Sequence, residues 1–167
     1  MTDTVQISAP LEKMENTLAI LSKKMPAMRV DLVFLGSLTR LLHTQISSQI
    51  NACLSEHDLS ESLWYAVLAI YAHPNHEILP SELSEVLQLT RTSATRLSDE
   101  LVAKGWITRY THPQDRRKIT LRLTEEGEAL IQRVSPRTNQ VRSQFWARLD
   151  TTEKTQLEAL LKKALGA

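Results

Sequence analysis

Residues 79–124 read LPSELSEVLQLTRTSATRLSDELVAKGWITRYTHPQDRRKITLRLT. The order of elements is helix, turn, helix, strand, tight basic loop, strand. Pro80 suits the first turn of a short helix over residues 80–87, where a missing N–H leaves no bond unmade. Leu83, Val86 and Leu87 face its partner helix, and Gln88-Leu89 makes the turn. Thr90 then stands where an N-cap belongs, with Ser93 at the position whose amide its hydroxyl satisfies. The second helix covers residues 90–104. At ~100° per residue, Ala94, Leu97 and Leu101 share one narrow arc, and Thr92, Thr95, Arg96 and Asp99 lie opposite, with Arg91 at the flank.

That outward arc suits a DNA major groove. Arginine can pair bidentately with guanine, and threonine offers a hydroxyl and a methyl for thymine. The free amides of the first turn also favour phosphate. Alone, the pattern is better read as an ordinary amphipathic surface helix. The hairpin behind it shifts the balance. Ile119, Leu121 and Leu123 alternate with Thr120 and Arg122, the period of a strand with one buried face. Between Tyr110 and Ile119, Pro113 and Asp115 mark a turn whose tip holds Arg116, Arg117 and Lys118. A basic hairpin tip can enter a minor groove, where narrow A/T segments attract arginine. Asp115 would orient a neighbouring arginine.

Charge follows the same division. Residues 1–87 hold 5 Lys/Arg against 10 Asp/Glu, residues 88–123 hold 8 against 3, and residues 124–167 hold 7 against 6. The net charge of the chain is only +1, so its positive excess is local to the helix and hairpin. The single cysteine, Cys53, excludes an internal disulfide framework and a cysteine-built zinc site. Residues 1–10 are polar, lack the apolar core of a signal peptide, and read as a mobile tail. No apolar run approaches the ~20 residues of a membrane span, so a reducing cytoplasm is the expected compartment. Length suggests one core with a helical extension.

Outside the central stretch the chain reads as helices. Leu11, Met14, Leu18 and Leu21 form one stripe, ended by Pro26. Residues 30–54 carry an apolar stripe too wide for a helix with one wet side, which implies burial on two faces or a subunit interface. Ser60 can cap a helix over residues 61–72 containing Leu63, Trp64, Val67 and Ile70. His73 and His76 flank Pro74, which breaks the helix that would align them as metal ligands, so no metal site and no cofactor are expected. Thr124 opens a long helix to about Arg148, interrupted or kinked near Pro136. Asp150 and Glu153 form a capping-box pattern for a last helix lined by Leu157, Leu160, Leu161 and Leu165 and ended at Gly166.

The run Asp115-Arg116-Arg117-Lys118-Ile119-Thr120-Leu121-Arg122-Leu123-Thr124 resembles the wing signature of MarR-family winged-helix regulators: Asp, any residue, Arg, three spacers, an aliphatic, any residue, Leu-Thr. Lys104-Gly105-Trp106-Ile107 resembles that family's helix-to-wing corner. Residues 80–84, 91–96 and 151–154 resemble its enterobacterial multidrug-efflux repressor subgroup. The likeness spans roughly residues 30–165. Gln88 departs from it, standing where the family often has glycine; a left-handed backbone there suits glutamine less well.

The resemblance implies a mainly α fold with a small β-wing. A winged helix-turn-helix DNA-binding lobe (58–124) would join a helical dimerisation lobe (11–57 and 125–167) whose chain ends interlock with a second subunit. It implies a homodimeric, ligand-responsive repressor on a pseudo-palindromic double-stranded operator. Thr90, Arg91, Thr92, Ser93, Thr95 and Arg96 are the expected major-groove residues, and Asp115, Arg116, Arg117 and Lys118 the expected wing residues. The family also implies a small aromatic or phenolic effector, for which His43, Trp64 and Tyr65 are candidates. Cys53 reads as a buried, inert thiol, since nothing near it in sequence would lower its pKa. Two other classes fit the sequence less well. A winged-helix module that binds protein would not need arginines on both helix face and wing tip. An enzyme is not expected, since no phosphate-cradling glycine loop, nucleophile elbow or metalloprotease motif is present.

Overall fold

The computed structural model describes residues 8–112 and 115–167, with only the backbone described at residues 8, 112 and 115–118. The chain divides into two compact units, Met1–Ser47 and Ser48–Ala167. The first holds α1 (Ser8–Lys24) and most of α2 (Val30–Ser55). Helix α1 starts inside the stretch expected to be a tail, because Ser8-Ala9-Pro10 permits a first turn in which proline needs no donor. Its stripe folds back on the start of α2, and a shallow cleft lined by Leu18, Ala19, Val30 and Phe34 lies between them.

The second unit carries the main core. It contains α3 (Glu61–Ala72), a single 3-10 turn (Pro74–His76), β1 (Glu77–Ile78), α4 (Pro80–Val86), α5 (Arg91–Ala103), β2 (Ile107–His112), β3 (Asp115–Leu123), α6 (Glu125–Trp146) and α7 (Thr151–Ala164). The sheet order is β1-β3-β2, all antiparallel, so β3 lies in the middle. Leu54, Leu63, Trp64, Val67 and Ile70 pack with Leu83, Leu101, Ile107, Leu121, Leu130 and Val134, all fully buried or nearly so. Each such side chain contributes roughly 1.5–3 kcal/mol relative to an exposed one.

Short-range signals set the helix ends. Ser60 Oγ accepts from the Leu63 amide at 3.3 Å, Thr90 Oγ1 from the Ser93 amide at 3.2 Å, and Asp150 Oδ1 from the Glu153 amide at 2.8 Å. The Glu153 carboxylate returns to the Asp150 amide at 2.8 Å, completing the expected capping box. Helices α4 and α5 end in the same way. After α4, the Gln88 amide donates to the Glu85 carbonyl and the Leu89 amide to the Ser84 carbonyl, with Gln88 at φ 52°. After α5, the Gly105 amide donates to Val102 and the Trp106 amide to Leu101, with Gly105 at φ 74°. Both are Schellman closures, and the first places a glutamine where glycine is usual.

Three expectations change. Helix α6 runs unbroken through Pro136 and ends at Trp146. Pro136 leaves the Gln132 carbonyl without its helical donor, but both residues lie on the exposed side, where water can replace it. Ile119 is exposed, not buried like Leu121 and Leu123, because the hairpin extends beyond the core that covers its base. Thr120, expected on the wet face, is buried. Among the described residues no helix is long and apolar enough to cross a membrane.

Candidate nucleic-acid interface

Helix α5 is held from behind and open in front. Ala94, Leu97 and Leu101 are buried, as is Ser98, whose hydroxyl donates to the Ala94 carbonyl at 2.8 Å. Thr90, Arg91, Thr92, Ser93, Thr95 and Arg96 are all exposed. All six expected major-groove residues are thus exposed, within the N-cap and the first two turns of the helix. Among the described residues neither the Arg91 nor the Arg96 guanidinium has an ion-pair or hydrogen-bond partner, so both keep their five donors for an outside acceptor.

The hydroxyls of this face are already oriented. Thr90 Oγ1 donates to Ser93 Oγ at 2.9 Å while accepting from the Ser93 amide, which leaves the Ser93 hydroxyl its own proton to donate outward. Thr95 Oγ1 donates to the Arg91 carbonyl at 2.9 Å. That proton is spent within the helix, so Thr95 offers a methyl group and oxygen lone pairs. Such a side chain suits a thymine methyl or a cytosine amino group.

The wing base is tied to its surroundings by contacts that join elements far apart in the sequence. Arg109 on β2 donates through Nη2 to Asp99 Oδ1 on α5 at 2.5 Å. Arg122 on β3 pairs with Glu77 on β1 at 2.7 Å, and its guanidinium stacks over the Tyr110 ring at 4.8 Å. Lys104 at the end of α5 pairs with Asp58 and lies over the Trp106 ring at 5.1 Å. Sequence reading missed Asp99 and Arg109 as a pair. A lone acid on the outward arc, followed by an arginine in the next strand, was the available signal. The hairpin register slips between Thr111 and His112, just before the tip. The side chains of Asp115, Arg116, Arg117 and Lys118 lie outside the described residues; their backbone forms the start of β3.

The effector candidates differ in their immediate surroundings. Trp64 is buried in the core of the second unit, and among the described residues its indole N–H has no hydrogen-bond partner. Tyr65, the next residue, is 41% exposed. Neighbouring helix residues point ~100° apart, which accounts for the contrast. His43 is an exposed residue of α2. Cys53 is buried, and desolvation pushes its thiol above the usual range, opposed in part by the positive charge of Arg137. His76 packs against the Tyr71 ring at 4.6 Å and meets Glu128 through Nδ1 at 2.9 Å. Among the described residues no group of three or more His, Cys, Asp or Glu could hold a metal ion.

A family model described as "MarR family" matches residues 59–119, the segment from just before α3 to within β3. The chain is 39% identical over 132 residues to the transcriptional repressor MprA of Escherichia coli strain K12, covering 77% of this chain and 75% of that protein. It is 30% identical over 136 residues to the multiple antibiotic resistance protein MarR of Salmonella typhimurium, covering 81% of this chain and 93% of that one. Among solved structures, a mutant E. coli MarR complexed with operator DNA superposes with a TM-score of 0.73 at 28% identity, covering 87% of this chain and 97% of that chain.

Proposed function

The chain belongs to the MarR family, and on that premise we propose that it is a sequence-specific, double-stranded-DNA-binding transcriptional regulator acting as a ligand-responsive repressor of efflux or stress-resistance genes. The observation that carries this reading is the open N-terminal face of α5, with the Arg91 and Arg96 guanidiniums unpaired among the described residues beside pre-oriented threonine and serine hydroxyls. It lies next to a hairpin whose tip sequence is cationic. Such a face can read base edges while its amides and arginines meet phosphate.

The acting species is a cytoplasmic homodimer. Each unit offers apolar side chains that a lone chain leaves in water: Leu32 and Leu35 on α2, and Leu160, Leu161 and Leu165 on α7, the last 85% exposed. A groove of about 390 Å³ lined by Trp146, Leu157, Leu161 and Leu165 lies along α7. Residues 11–57 and 125–167 would supply the dimerisation lobe and residues 58–124 the DNA-binding lobe. Two α5 helices then enter successive major grooves ~34 Å apart, and the cationic tip sequence, with Arg117 the expected contact, meets the flanking minor groove. A small aromatic or phenolic effector changes the spacing of the helices, by no more than its differential affinity for the two spacings. The buried, unpartnered indole N–H of Trp64 is the polar group that such a ligand would satisfy.

The test is selection by the purified protein from a random duplex pool, followed by sequencing. Enrichment of a pseudo-palindrome with half-sites one helical turn apart is the expected result. A pool that emerges unenriched would overturn the reading.

A further inference from the structure

The outward arc of α5 contains an anomaly. Asp99 stands seven residues beyond Thr92 and four beyond Thr95, so it lies on the same side of the helix as the proposed reading residues. A carboxylate aimed at a polyanion raises the free energy of binding. Here it accepts from Arg109 at 2.5 Å, and Arg109 belongs to β2, where it pairs in register with Leu121 of β3. The contact thus runs from the reading helix to the base of the hairpin that carries the cationic tip. Both side chains are substantially exposed, 56% for Asp99 and 37% for Arg109. Exposed pairs of this kind add little to folding stability.

We propose that Asp99 is a positioning residue for DNA recognition: by holding Arg109 it fixes the angle of the wing relative to the reading helix, and it keeps that arginine from binding phosphate indiscriminately. The proposal rests on the DNA-binding reading above. Its physical content is a sign. If Asp99 were only a repulsive charge, removing it would strengthen binding to every duplex alike. If it positions the wing, removing it frees Arg109 for phosphate and strengthens binding to random duplex. Over the operator, the same change loosens the wing and weakens the preference.

The experiment uses the full chain and a duplex that the wild-type protein has itself selected from a random pool, with a scrambled duplex of equal length as the second probe. Failure of the wild-type protein to prefer the selected duplex would defeat the DNA-binding reading, and this proposal with it. Given that preference, three proteins are compared with wild type by titration at several salt concentrations: Asp99→Asn, Arg109→Gln, and the exchange Asp99→Arg with Arg109→Asp. For Asp99→Asn the expected outcome has three parts: an unchanged melting temperature, a salt slope on scrambled duplex steeper by about one, and a loss of roughly tenfold in selected-over-scrambled preference. Arg109→Gln is expected to lose preference without the steeper slope. The exchange is expected to recover most of the preference, because it rebuilds the bridge with its charges reversed. Equal tightening on both duplexes by Asp99→Asn, an unaltered preference, or an exchange that recovers nothing while melting as wild type would each overturn the positioning role.

Discussion

A Cβ built on Gly127 falls 2.2 Å from the carbonyl oxygen of Trp106 and 2.8 Å from Leu123 Cδ1. Gly127 lies in the first turn of α6, and Trp106 at the entry to β2, so this approach sets how closely the long helix sits on the wing base. The same carbonyl accepts from the Thr124 amide at 3.1 Å, which fixes it in place. Helix propensity alone would favour Gly127→Ala by about 1 kcal/mol. The obstacle here is backbone, so the overlap should win, with a net destabilisation of about 1–3 kcal/mol. Thermal and urea melts of the variant check this, and a raised midpoint would mean that α6 can move away without loss.

Gln88 makes the opposite case. Its φ of 52° is the left-handed conformation, strained by roughly 1 kcal/mol for a residue with a Cβ. Gln88 is exposed, so replacing it removes no core contact. Gln88→Gly relieves the strain but adds freedom to the unfolded chain, and the expected net gain is about 0.5 kcal/mol. A melting temperature that does not rise would assign Gln88 a contact worth as much as the strain.

Arg96 should behave as a base reader. Arg96→Ala is expected to weaken binding to the selected operator by about 1–3 kcal/mol, with a smaller loss on scrambled DNA. Equal losses on the two duplexes would make it a phosphate contact. Its exposed position and lack of a partner in the described residues leave the fold unaffected by the change.

For Arg117→Ala the expected signature is different. Affinity falls, and the dependence of binding on salt becomes shallower by about one counterion. A salt slope identical to wild type would take the wing tip out of the electrostatic contact.

Cys53 should be unreactive. Burial raises its pKa, so the thiol stays protonated through neutral pH and alkylates far more slowly in the folded protein than after denaturation. The sign for stability follows. The folded state holds the thiol proton more tightly than the unfolded state, so the contribution is constant at low pH. It declines as pH rises from ~8.5, where an unfolded thiol ionises, toward the higher folded value. Cys53→Ala should therefore flatten the alkaline arm of the stability profile. Fast labelling at neutral pH would argue that this helix opens readily.

The caps at Ser60, Thr90 and Asp150 were legible because each depends on residues three apart, and the outward face of α5 because helical angle follows from counting. The strained turn at Gln88 was foreseeable only through the family resemblance, which often places glycine there. Pairings between distant elements were not. Glu77–Ile78 is too short to show a period, yet it lines the free edge of β3 and brings Glu77 to Arg122. Ile119 kept the alternation of a buried strand because periodicity records which side a residue faces, not how far the core extends beneath it. Gly127 looked like an unremarkable helix residue until the Trp106 carbonyl was set beside it.

Thr124 joins these parts. Its hydroxyl donates to the Gly105 carbonyl at 2.7 Å and accepts from the Gly127 amide at 3.1 Å, so one oxygen both closes the corner after α5 and starts α6. The 22 residues of α6 make a rod about 33 Å long. Pinned at that end and packed through Leu130, Ile131, Val134 and Thr138, its N-terminal portion belongs to the same core as the wing base, so removing the Thr124 hydroxyl would loosen the corner and the helix start together.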